Sequence, residues 1–274
     1  MSMEKKKARK HSLCEKNAVI AMILTVPLGF LTQIAAQSPG AVSALIVSAL
    51  SIVLLIIYNK WFSPEFDGVF KARVSVKEIL LVSATMIILI VGCIIINAVY
   101  SGIVFRPSLT FVCLALMAGI SEETIFRAML IPIGMRYLKG SNRALTAVII
   151  SSAIFGPIHM MNIIVGADPL MTILQAFMAT CGGVVLAGIY LRTGSILPGM
   201  IAHAIYDFIN FVTDPTMNDS GVVVSDGGNA GISYYALLIV LSVALLVAGI
   251  CLIRKAKREA IENIWKTKWN QDVR

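Results

Sequence analysis

The sequence predicts an all-α fold: a polytopic membrane bundle of about eight transmembrane helices with both termini cytoplasmic. Three observations carry this. The 274 residues are 58% hydrophobic and 14% charged, with a mean hydropathy of +0.85; soluble domains run about 45–50% apolar and about 25% charged. That excludes a soluble globular enzyme and a disordered chain. Long apolar runs recur, most of them near the roughly 20 residues that a bilayer core demands. Basic residues collect in every second connection, as they do in cytoplasmic loops.

In order, the runs are Asn17–Gln37, Ala41–Tyr58, Glu78–Tyr100, Leu109–Ile131, Ala144–Val165, Leu170–Leu191, Ile196–Val212 and Ser233–Ile253. The first follows Lys5, Lys6 and Lys7, as a signal peptide would. Its apolar run exceeds an h-region of about 7–15 residues, so it is read as a retained helix. The second and seventh are short, and Pro198 and Gly199 near the start of the seventh predict a tilt or break. The sixth carries Ala179, Gly183 and Ala187 at small-xxx-small spacing, which suits close helix packing.

Alternation puts 21 of the 23 Lys and Arg on one side, in the tail to Lys16, the loops 59–77, 132–143 and 192–195, and the tail from Arg254. Only Arg106 falls opposite, and Arg127 lies in a span. The net charge of +8 is therefore read as a topology signal, and no nucleic-acid partner is expected. On the other side, Thr213–Ile232 carries Asp214, Asp219 and Asp226, no basic residue and many Gly and Ser, and is read as a mobile loop. Trp61–Arg73 and Arg254–Trp269 mix aromatic and basic residues and are read as interfacial helices lying on the membrane. The chain thus divides into a basic tail (1–16), a bundle (17–253, functional core about 109–212) and a second basic tail (254–274). The five cysteines include no CxxC and are read as small core residues.

Ionisable residues inside spans are costly and mark function. Here they are few: Glu122, Glu123, Arg127, His159, His203 and Asp207. Glu123 and Arg127 sit at i, i+4 and can pair; His203 and Asp207 share a face in the same way. Glu122 points about 100° away from Glu123 and needs another partner. A glutamate held in an apolar site can act as a base. If the fourth, fifth and seventh spans adjoin, Glu122, His159, His203 and Asp207 meet in one polar cavity. Extending the fourth helix to Leu138 would bring Glu122 to the depth this requires, and Gly156-Pro157 can bend the fifth.

Glu122-Glu123-x-x-x-Arg127, Phe155-x-x-x-His159 and His203-x-x-x-Asp207 resemble the three-motif signature of the CAAX protease and bacteriocin-processing (CPBP) family, which includes the type II CAAX prenyl endopeptidases. The resemblance covers 121–207. It implies a bacterial intramembrane endopeptidase of the plasma membrane, acting on a hydrophobic or membrane-associated peptide. Glu122 would activate water with the help of His159, while His203 and Asp207 would bind the oxyanion and Arg127 would hold the glutamate pair. The prenyl endopeptidases carry Asn where this chain has Asp207. An ionised Asp cannot donate to an oxyanion, so Asp207 must be protonated, orient His203 or bind a metal. No cofactor is favoured; the alternative is Zn on Glu122, His159 and His203, although no HExxH occurs.

Other chemistries fit less well. A serine protease fails because Gly119-Ile120-Ser121 runs into Glu122 rather than Gly. An aspartyl protease needs two intramembrane Asp, and only Asp207 qualifies. A proton-coupled transporter can use Glu and His relays, but no matching halves are visible. A non-catalytic scaffold on the same fold, for bacteriocin immunity or sensor regulation, is the remaining alternative.

Overall fold

The structure is a computed structural model, and it describes residues 12–33, 40–100, 102–215, 218–219 and 231–270. Among them every regular element is helical. A short α1 (Ser12–Lys16) leads to α2 (Ala18–Phe30), where Asn17 caps the first turn by accepting from Ile20 N–H. Then come α3 (Ala41–Phe62), α4 (Val76–Ser83), α5 (Thr85–Tyr100), α6 (Leu109–Met117), α7 (Leu130–Tyr137), α8 (Arg143–Ile158), α9 (Pro169–Thr193), α10 (Leu197–Thr213), α11 (Ile232–Ile253) and α12 (Arg258–Lys268). Six helical stretches are long and apolar enough to cross a membrane: Ala41–Phe62, Val76–Tyr100, Leu109–Tyr137, Arg143–Ile164, Pro169–Thr193 and Ile232–Ile253. The other two expected spans are the shorter helices α2 and α10. Helix α2 stops at Phe30, not Gln37, and 34–39 lie outside the described residues.

Several expectations need correcting. Helix α10 is neither broken nor interrupted: Pro198 sits in its first turn, where its missing N–H costs nothing. Trp61–Arg73 is not an interfacial helix. Helix α3 ends at Phe62; after a local turn in which Glu65 and Phe66 N–H donate to Phe62 O, the backbone bonds to other segments. Asp67 N–H donates to Lys268 O, Arg73 N–H to Thr193 O, and Val69 O accepts from Ile196 N–H. Phe66 and Val69 are buried beneath it. The second aromatic-basic stretch does form a helix, α12, but its apolar face packs on the protein and not on lipid. Ile261, Trp265 and Trp269 are buried; Trp265 Nε1 donates to Leu191 O and Trp269 Nε1 to Pro132 O. Cys93, Cys113 and Cys181 are buried as expected, whereas Cys251 is exposed. His11 and most of Thr213–Ile232, Asp226 included, lie outside the described residues.

The basic connections gather at one end of the bundle. Besides the bonds above, Arg143 pairs with Glu262, Arg192 with Glu78, and Ser195 Oγ donates to Phe70 O. Gly194, at φ 71°, closes α9 there in the left-handed conformation that glycine adopts without strain. At the opposite end Arg106 N–H donates to Val212 O, joining the segment before α6 to the end of α10.

The helix carrying the glutamates positions the site. Between α6 and α7 it makes two π-helical turns, Ala118–Glu122 and Thr124–Met129. Such turns rotate each residue by less than the roughly 100° of an α-helix and are frequent at functional sites. Hydroxyls serve carbonyls along this stretch: Tyr58 donates to Met129 O (2.9 Å), Ser151 to Phe126 O (2.6 Å) and Thr124 to Ile120 O (2.7 Å). With both π turns included, the helix runs 29 residues from Leu109 to Tyr137. Glu122 therefore lies near its middle.

Candidate active site

Three crossings bring the motif residues together. Helix α10 meets the first π turn at backbone contact: a Cβ on Gly119 would lie 2.6 Å from Met200 O and 2.9 Å from Ala204 Cβ. That places His203, one turn along α10, over the glutamates. Helix α8 meets α9 just as closely at Gly156, whose Cβ would lie 2.5 Å from Ala176 O. At Ile158 the α-helix gives way to the 3₁₀ turn His159–Val165, which turns His159 out of the α8 register. The third contact is at Gly183, where a Cβ would meet Arg127 Nη2 at 2.7 Å and Phe155 Cδ1 at 3.2 Å. Gly183, the middle residue of the small-residue stripe, is therefore the seat for the buried arginine.

A cavity of about 250 Å³ is lined by Glu122, His159, His203 and Asp207 together, with Asn162, Gln175, Tyr206 and Asn210 among its polar neighbours. Met86, Leu89, Leu114, Met117 and Met178 supply apolar wall. The expected convergence of the fourth, fifth and seventh spans is present. Glu123 and Arg127 lie behind that wall, both fully buried and paired at 2.8 Å. The Arg127 guanidinium also sits 4.0 Å from the centre of the Phe155 ring, a cation–π contact strengthened by burial. Phe155 in turn presents its ring to both His159 and His203 in edge contacts at 5.0 and 6.1 Å.

Ring-nitrogen partners define the two histidines. His159 Nδ1 lies 3.0 Å from Phe155 O and 3.2 Å from Gly156 O. A carbonyl only accepts, so Nδ1 carries the proton and Nε2 keeps a lone pair when the ring is neutral. His203 Nδ1 lies 3.1 Å from Glu123 Oε1, the oxygen that also takes Arg127. His203 Nε2 faces Asp207 Oδ2 at 3.5 Å and Glu122 Oε2 at 3.7 Å. The group bonded to His203 Nδ1 is thus Glu123, whereas orienting His203 was one of three roles the sequence left open for Asp207. Glu122, which had no partner on its own helix, finds its nearest one in His203.

Sequence reasoning missed the role of Phe155 as a spacer between Arg127 and both rings, and it missed the amides of Asn162 and Gln175, which bond each other at 3.1 Å. A signal for the latter existed: both are amides within otherwise apolar runs. Among the described residues, no three His, Cys, Asp or Glu side chains gather as a metal-holding group. Glu122, His159 and His203 line the same cavity.

Comparison with known proteins returns no match among curated proteins and none among solved structures. A family model does match, over residues 104–209, a segment that holds every residue of the three motifs. That model is described as type II CAAX prenyl endopeptidase, Rce1-like, and it agrees with the CPBP resemblance of those motifs.

Proposed function

We propose that the protein is an intramembrane endopeptidase of the CAAX type that hydrolyses a hydrophobic or membrane-associated peptide with water activated by Glu122 and His159. The observation that carries this reading is the single cavity in which both groups face His203 and Asp207. Peptide hydrolysis needs a base for water and donors where negative charge develops. Glu122 takes a proton from water, and the resulting hydroxide adds to the scissile carbonyl carbon. His159 Nε2, with its lone pair towards the cavity, accepts a hydrogen bond from the water's other O–H, which stays on the oxygen, and orients the attack. His203, its ring fixed through Nδ1 by Glu123 and Arg127, donates from Nε2 to the oxyanion. Asp207 assists there as a protonated donor. Glu122 then passes its proton to the leaving amine, and the tetrahedral intermediate collapses. No step needs a metal.

The same reading makes eight crossings of the helices from α2 to α11 (α4 with α5, and α6 with α7, each counting as one), with the basic end and both termini in the cytoplasm. The gathering of the basic connections at one end supports it.

The test is cleavage of a panel of membrane-associated peptides by purified protein, comparing wild type with Glu122→Gln and His159→Ala, with and without a strong chelator. Both variants should lose at least about 100-fold in rate, and the chelator should have no effect. Chelator inhibition reversed by zinc would overturn the metal-free chemistry. A folded wild type that cleaves no peptide would favour the scaffold.

A further inference from the structure

The catalytic cavity has an annex. A second cavity, of about 70 Å³, shares Gln175, Met178, Tyr206 and Asn210 with the first. Its own wall includes Cys93 and Asn97 of α5, Met171 of α9, Asp214 and Tyr234. These residues lie near the end of α5, the start of α9, the end of α10 and the start of α11. The annex therefore extends from the site towards the end of the bundle opposite the basic connections.

Its lining is polar in a way that helix packing does not require. Asn97 is 5% exposed and turns into the annex wall. Asn210, 7% exposed, spends its amide nitrogen on Tyr206 O at 2.9 Å, leaving its side-chain oxygen available. Gln175 accepts from Asn162 and keeps its own amide nitrogen unspent. An amide buried without a partner costs about 1–3 kcal/mol. A cavity lined by amides is where buried water resides, and at roughly 30 Å³ per water this one has room for about two. Hydrolysis consumes one water per bond. A peptide bound in the catalytic cavity would compete with water for that space, and the annex offers water a second side from which to arrive.

We propose that the annex is a hydration site, held by Asn97, Gln175 and Asn210, that passes water between Tyr206 and Met178 to Glu122. The delivery step rests on the hydrolase reading above; the hydration site does not.

Hydroxyl-radical footprinting of the full-length protein in nanodiscs, driven by X-ray pulses, reads water beside buried side chains. Cys93 and Met171 report the annex, and the similarly buried Cys113 and Met129 serve as dry references. Annex side chains should be modified about ten-fold faster than the references. In Asn97→Leu their labelling should fall to the reference level, with kcat on a short peptide down about ten-fold and KM within about two-fold. Asn97→Ser, which keeps a hydroxyl and leaves more space, should retain both labelling and turnover. Equal labelling of annex and reference residues in wild type would overturn the hydration site. A labelled annex with wild-type kcat in Asn97→Leu would overturn delivery. A labelled annex in a protein that cleaves no peptide would sink the hydrolase reading and leave the hydration site standing.

Discussion

Adding one methyl group at Gly156 should both destabilise the protein and misplace His159. The new Cβ would lie 1.8 Å from Thr180 Oγ1, 2.9 Å from Thr180 Cβ and 2.5 Å from Ala176 O. Thr180 can rotate away. The carbonyl cannot, because it belongs to the α9 backbone, so α8 and α9 must part by at least 0.5 Å to reach a 3.0 Å contact. Overpacking of this kind costs about 1–3 kcal/mol, offset by about 0.5–1 kcal/mol from the better helix propensity of Ala. For a protein of this size each kcal/mol moves Tm by about 2–4 °C. With the net cost near the middle of that range, about 1–2 kcal/mol, Gly156→Ala should unfold roughly 2–8 °C early. His159 follows one turn later and bonds the Gly156 carbonyl, so peptide cleavage should fall about 10–100-fold as the ring shifts. Gly182→Ala makes the same chemical change within α9 where nothing lies within 4 Å, keeps only the helix-propensity gain and should raise Tm by about 1–4 °C. The assay is thermal unfolding in detergent with a thiol-reactive dye, which reads exposure of Cys93, Cys113 and Cys181. Adding Thr180→Ala to Gly156→Ala should restore only part of Tm, since the carbonyl contact remains. A Gly156→Ala protein with wild-type Tm and activity, or complete rescue by Thr180→Ala, would refute the argument.

Arg127→Met leaves Glu123 buried beside an apolar neighbour and should cost about 3–5 kcal/mol; adding Glu123→Gln should recover part of it in the same dye assay. Glu123→Gln alone should lower kcat more than it raises KM, because it loosens the His203 ring without touching substrate, as steady-state kinetics will read. Tyr58→Phe strips the Met129 carbonyl of its donor and should lower stability by about 1–3 kcal/mol, seen as an earlier unfolding midpoint. Lys268 has its pKa pushed down to about 8, chiefly by burial, with Arg73 and Lys71 adding to the shift and Asp67 opposing it. The unfolded chain holds that proton up to about pH 10.4, so folding is favoured as pH rises from about 8 to 10.4. Wild type should gain on the order of 3 kcal/mol over Lys268→Met across that window; a parallel pH dependence in the two proteins would remove the assignment.

What could be read from the sequence followed from cost. An ion or imidazole in an apolar run is so unfavourable that Glu122, Glu123, Arg127, His159, His203 and Asp207 stood out without any structure, and the cavity unites four of them. Long apolar runs marked the helices for the same reason. Local irregularity was less legible. The two π turns leave no pattern in Ala118–Met129, because their carbonyls are served by Tyr58 and Ser151 from distant helices. The choice between Glu123 and Asp207 as the partner of His203 depends on the Gly119–Met200 crossing, which no spacing encodes. Trp61–Arg73 carries the composition of an interfacial helix, but its backbone bonds and its buried Phe66 and Val69 commit it to the protein. The α12 face was read correctly as amphipathic and assigned to the wrong apolar partner.

The seating of α12 has a consequence for the order of assembly. Trp265 and Trp269 donate to the carbonyls of Leu191 and Pro132, which lie at the ends of α9 and in α7. Those two helices flank the glutamates and the arginine seat, and they leave the ribosome long before residues 258–269 do. During synthesis the earlier helices can insert and pair while these two carbonyls still lack their indole donors. Residues 258–269 supply the donors and close the basic end. They thus act as a latch added after the site: a nascent chain stalled before them carries every motif residue, yet its site helices are not locked at that end.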